Sequence, residues 1–173
     1  MSEGNEVIAK EDATKALKDK IASVATAIAG KTEGKAAGNQ IEGSEATLTS
    51  AKTKAETVLN KAESTSSELN SAKEELDKAI KAYESATVAE ISSSLNAPTL
   101  SLGGTTTGTI TGITLDANET LNVTSATTDT VTVDAANGLS VTGIKEGTSV
   151  ITVQVVKDGH VIKTGNVTVT VNV

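Results

Sequence analysis

The chain contains no cysteine, tryptophan, phenylalanine or arginine, and only one proline, one tyrosine and one histidine among 173 residues. Without cysteine there is no thiol chemistry, no disulfide framework and no cysteine zinc site. The net charge of -7 is spread over both halves, about -4 before residue 97 and -3 after it, and it leaves no basic patch. Aromatic stacking platforms are missing too, so nucleic acid is not an expected partner. No run approaches the roughly 18 apolar residues of a membrane-spanning helix, and membrane insertion is not expected. The N-terminal residues Met1 to Glu6 are acidic and polar, unlike a secretory leader. The expectation is a protein made in the cytoplasm without a signal peptide, which would leave the cell by another route such as release inside a particle at lysis.

What is present divides in two. Before Ala97 the chain is rich in alanine, lysine and glutamate, and after Pro98 it is rich in threonine, valine and glycine. Helix-period and strand-period patterns do not share one element, so two small domains are expected, residues 1–97 and 98–173. The helical part would serve anchoring or oligomerisation.

The longest regular pattern is Ser44 to Leu95. Counting by sevens gives Leu48, Ala55, Ala62, Leu69, Leu76 and Tyr83, with a second row at Ala51, Val58, Thr65, Ala72, Ala79 and Ala86. Side chains three and four residues apart stack on one helix face, so the stretch reads as helix. As one rod it would reach about 75 Å at about 1.5 Å per residue. Half of the seam is alanine, which buries little area, and Leu59 and Ile80 widen the stripe; both features favour a bundle over a free two-stranded zipper. Thr65 is the one polar seam residue, and Thr65 with Glu68 has the spacing of a capping box, which tilts the reading from one helix toward a hairpin. Ser44 is the expected N-cap. Upstream, residues 1–10 read as a loose arm. From Asp12 a first helix is marked by Leu17, Ile21, Val24 and Ile28 and ends near Gly30. The packing or anchoring face is therefore Leu17, Ile21, Val24, Ile28, Leu48, Val58, Leu59, Leu69, Leu76, Ile80 and Tyr83.

Past Asn96-Ala97-Pro98, short alternating runs lie between turn signals: Thr107 to Leu115, Glu119 to Thr124, Thr130 to Asp134, Leu139 to Thr142, Ser149 to Lys157, His160 to Lys163 and Asn166 to Val173. Asp158-Gly159 is a tight-hairpin signal. The order Val123 to Asp134, Asn137 to Gly143, Glu146 to Val153 and a closing Val167 to Val171 alternation resembles the bacterial immunoglobulin-like group 2 domain over about 98–173. An early core tryptophan of that pattern is absent. The resemblance implies a β-sandwich. The expected fold is thus an α+β two-domain chain, an N-terminal helical bundle or coiled coil followed by a C-terminal immunoglobulin-like β-sandwich.

No chemistry emerges. Gly30-Lys31-Thr32 lacks the upstream glycine and strand of a phosphate loop and reads as a helix end. His160 follows a turn with no nucleophile near it in sequence, and reads as a solvated residue. Asp129, Asp134 and Asp158 lack calcium-loop spacing. The sequons at Asn118, Asn122 and Asn166 matter only in a glycosylating pathway. Tyr83 reads as packing. Catalytic, cofactor and metal sites are all expected to be absent, and the protein is expected to bind or build rather than catalyse.

A helical module followed by an immunoglobulin-like domain, with no cysteine and no leader, is similar in architecture to tailed-phage capsid decoration and head-fibre proteins. That resemblance rests on domain order. It implies a virion structural protein on the capsid surface, with the helical part docked on a capsid or other virion protein, self-association, and weak adhesion of the displayed domain to host-surface glycans. A trimeric head fibre or a tail or baseplate accessory is the variant within this class. A bacterial cell-surface adhesin or cell-wall binding module is the alternative from another.

Overall fold

The computed structural model describes residues 2–111, 113–135 and 139–173. Asn137 and Gly138 of the resemblance above, and Gly112 of the expected Thr107 to Leu115 strand, lie outside the described residues. The chain forms two compact units, Met1–Gly34 with Gln40–Thr87, and Lys35–Asn39 with Val88–Val173. The boundary expected at Ala97–Pro98 falls inside the second unit.

The first unit holds three helices, α1 (Ser2–Ile28), α2 (Ser44–Asn60) and α3 (Ser66–Ser85). Helix α1 begins ten residues before the expected Asp12, although Val7 and Ile8 are each 58% exposed. Once the apolar turns from Ala13 onward hold a helix, each further residue adds a hydrogen bond at little cost, so the polar arm extends it. The long heptad stretch breaks at its polar seam residue. Ser64 donates to the Val58 carbonyl at 2.6 Å and closes the end of α2. Thr65 then caps α3 reciprocally with Glu68: the Glu68 amide donates to Thr65 Oγ1 at 3.2 Å, and the Thr65 amide donates to Glu68 Oε2 at 2.8 Å.

Helix α2 is capped differently from the expectation. Gly43, not Ser44, occupies the N-cap with φ 86°, and it offers no side chain. Glu33 supplies the acceptor from the preceding loop: its carboxylate receives the Glu45 amide at 2.7 Å, the Ser44 hydroxyl at 3.2 Å and the Gly43 amide at 3.2 Å. A carboxylate held at a helix N-terminus satisfies orphan donors and meets the positive end of the helix dipole. These backbone donors hold Glu33 below the usual carboxylate range.

The strands of the second unit follow α3 after a short connection, where Val88 and Ile91 continue an apolar spacing that reads as helix in sequence but leads into strands. Its strands are β1 (Ala89–Glu90), β2 (Ser92–Leu95), β3 (Thr99–Ser101), β4 (Thr105–Thr111), β5 (Glu119–Ser125), β6 (Val131–Asp134), β7 (Leu139–Gly143), β8 (Gly147–Lys157) and β9 (His160–Asn172). One sheet has the order β1-β9-β8-β5, with β3 also paired to β9; the other has the order β2-β4-β7-β6. Val131, Leu139 and Val141 from the second sheet and Leu100, Ile151, Val169 and Val171 from the first share one buried cluster.

The expected helical bundle or coiled coil followed by an immunoglobulin-like β-sandwich is corrected on both sides. The heptad stretch is neither one rod nor a seam of six heptads; it is α2, a turn, α3 and then strands. In the β region, β1 and β3 both run parallel to β9, so the larger sheet is mixed, and among the described residues one strand of each sheet, β1 and β2, precedes residue 98. The runs expected at His160 to Lys163 and Asn166 to Val173 join in one strand, β9, which ends at Asn172 and has a register shift opposite Val155/Val156 in place of a break. Asp158-Gly159 does form the tight turn, both residues having positive φ, 50° and 84°.

Gly165 sits mid-strand because the chain crosses it. Between β1, in the first sheet, and β2, in the second, Ile91 passes over β9 and its amide donates to the Thr164 carbonyl at 2.7 Å. A Cβ on Gly165 would lie 2.3 Å from the Ile91 carbonyl oxygen. Only a residue without a Cβ allows that approach.

Candidate functional site

The eleven residues singled out as a packing or anchoring face all lie in the first unit's interior. Leu17, Leu48, Leu69, Leu76, Val24, Ile80 and Tyr83 are buried in one cluster, and Ile21, Ile28, Val58 and Leu59 pack against it. Ala55 and Ala72, also buried, let the helices approach closely. These side chains are occupied by one another, so a partner of this unit would meet its outward faces, which are polar apart from exposed residues such as Val7 and Ile8 of α1. Buried Gln40 ties the loop between α1 and α2 to α3, its Nε2 donating to the Tyr83 carbonyl at 3.0 Å.

Two carboxylates on α3 join its neighbours. Asp77 pairs with Lys20 of α1 at 2.6 Å and with Lys81 at 2.8 Å, and Glu68 pairs with Lys61 across the turn at 3.0 Å. The Lys20 and Lys81 ammonium groups hold Asp77 down to about 2. The Thr65 amide, then Lys61 and the Thr65 hydroxyl, hold Glu68 down to about 2 as well. Groups whose folded pKa is depressed contribute stability that is present above their unfolded values, and it is lost as pH falls through the folded values. Thermal stability of the first unit is therefore expected to be flat above about pH 5 and to fall between the ordinary carboxylate range and about pH 2. Circular dichroism melts at 222 nm across that range check it, and Asp77→Asn should flatten part of the slope.

Among the described residues no three His, Asp or Glu side chains converge as a metal site. His160 is exposed at the start of β9, next to the Asp158-Gly159 turn. Gly30, at φ 72°, follows the end of α1, and the Lys31 amide donates to the Ile28 carbonyl at 3.0 Å. No described helix is long and apolar enough to cross a membrane.

Two concave regions stand out. One, of about 510 Å³, is lined by α1 alone, from Val7 to Asp19. The other, of about 460 Å³, lies within the second unit, between the segment Lys35 to Ala37 and the face of β8 and β9. Thr152, Gln154, Thr164 and Asn166 line it, with Glu90 at its side. Alternation places these residues on one face: Thr152 pairs with Asn166 and Gln154 with Thr164 across the two strands. In the sequence Asn166 stands out as a sequon and a strand start, and Thr152 and Gln154 only as members of a strand. The available signal was the polar alternation Thr152, Gln154 and Thr164, Asn166 on each side of the Asp158-Gly159 turn, which becomes a surface only once the register is known.

No family model matches the chain. The chain is similar to the surface-layer 125 kDa protein of Lysinibacillus sphaericus, with 44% identity over 156 residues. The match takes in 90% of this chain and spans 13% of the length of that protein.

Proposed function

We propose that this chain is a non-catalytic structural module of a bacterial cell-surface protein of the surface-layer kind. The supporting observation is the extent of the similarity, because a match over 90% of the chain must include residues of both units. The composition suits such a role. Both units are built from small aliphatic side chains, with one aromatic residue in the whole sequence and no cysteine to oxidise outside the cell. The outward faces are polar and acidic overall, as a module in a crowded array needs in order to avoid unspecific association.

The virion reading rests on domain order without aligned residues, and the 156 aligned residues favour the cell-surface alternative. Immunogold electron microscopy of cells of the source, with antiserum against this chain, separates the two. Gold along the cell envelope is the expected result. Gold on phage particles, with bare envelopes, would overturn it.

A further inference from the structure

We propose that the cleft between Lys35–Ala37 and the outer face of the β9-β8-β5 sheet binds a neutral saccharide chain. Register carries the polar surface well beyond the cleft itself. Glu90 pairs with Thr164, Thr164 with Gln154, and Gln154 with Asn122, so one row crosses β1, β9, β8 and β5. A second row, Asn166, Thr152 and Thr124, lies beside it. Four strands about 4.8 Å apart make the first row about 14 Å long, a track for an oligosaccharide and not merely one ring.

The polar groups on this track are unused. The side chains of Asn122, Thr152, Gln154, Thr164 and Asn166 make no hydrogen bond or ion pair among the described residues. Elsewhere in the same unit hydroxyls satisfy one another across strands, Ser94 with Thr109 at 2.9 Å, Ser125 with Ser149 at 2.9 Å and Thr105 with Thr142 at 3.2 Å. Thr164 is the sharpest case, since it is only 7% exposed and lines the cleft. An amide offers two donors and an acceptor, and a hydroxyl offers both functions. The amides of Asn122, Gln154 and Asn166 and the hydroxyls of Thr152 and Thr164 therefore match the paired donors and acceptors of sugar hydroxyls.

Charge selects against ionic ligands. Lys35 and Glu90 supply one cation and one anion, and the remaining lining is uncharged in a protein of net charge -7. Ala36 and Ala37 form the apolar wall, which suits a sugar's C–H face or an acetamido methyl. No aromatic ring is present for stacking, so a single cleft binds weakly and becomes effective only when many copies are presented together.

The test is an NMR titration of the ¹⁵N-labelled full chain with chitotriose and, separately, maltotriose at millimolar concentration. Saturable shifts of the amides at Thr152 to Gln154, Thr164 to Asn166 and Lys35 to Ala37, with either sugar, are expected. Gln154→Ala should weaken binding about five-fold, the equivalent of one lost hydrogen bond, with the rest of the spectrum unchanged. Thr152→Val, which keeps the shape and removes the hydroxyl, should weaken it similarly and serves if the first variant disturbs the fold. No shifts with either sugar, shifts that map elsewhere, or binding unchanged in the variants would overturn the proposal. Such a failure leaves the cell-surface reading standing, because an array module need not hold a sugar.

Discussion

Leu76→Ala in α3 is expected to lower the thermal midpoint of the helical unit by on the order of 15 °C, from a loss of about 3 kcal/mol. Leu76 is 1% exposed in the cluster shared by all three helices. Alanines already occupy Ala13, Ala55 and Ala72 of that cluster, so few neighbours are large enough to collapse into the space left behind. A unit of about 80 residues has a total stability on the order of 4 to 12 kcal/mol, so the loss is a large fraction of it. Tyr83 is the sole aromatic residue and is buried in the same cluster, so its fluorescence follows this unit alone. An unshifted tyrosine transition would mean that Leu76 is not part of a tightly packed core.

Gly165→Ala is expected to destabilise the β unit by about 2 to 3 kcal/mol while leaving the tyrosine transition unmoved. The added methyl would sit 2.3 Å from the Ile91 carbonyl and 3.0 Å from the Ile91 Cβ, and both belong to the segment that carries the chain from one sheet to the other. Neither strand can yield easily. Ile91 is bonded to the Thr164 carbonyl, and β9 is paired with β8 over most of its length. Hydrogen exchange read by NMR should show lost protection in β1, β2 and the middle of β9. Wild-type protection there would mean that the chain does not cross at Gly165.

Both variants bear on what a one-dimensional pattern reveals. The apolar residues of α1, α2 and α3 were legible because helix periodicity is local: Leu17 and Val24, or Leu69, Leu76 and Tyr83, share a face by spacing alone. The Thr65–Glu68 cap was legible for the same reason, and so was the Asp158-Gly159 turn. The cap of α2 was not, since its acceptor comes from Glu33, ten residues upstream of Gly43, across a loop without a period. Nor was the end of α3, because the apolar residues Val88 and Ile91 are equally consistent with another helical turn and with a strand entering a core.

Composition and period by themselves determined that this chain has a helical part and a strand part, where most strands lie, which residues are apolar enough to be buried, and that thiol chemistry is excluded. Tertiary structure alone decided how the strands pair, that β1 and β3 run parallel to β9, that Gly165 is a crossing point, and that Asn122, Gln154, Thr164 and Glu90 form one row. The physical reason is range. Periodicity and capping are set by neighbours within a few residues, whereas pairing is settled by which long-range register buries the valines of β8 and β9, and a shift of one residue would turn every one of those side chains to the opposite face.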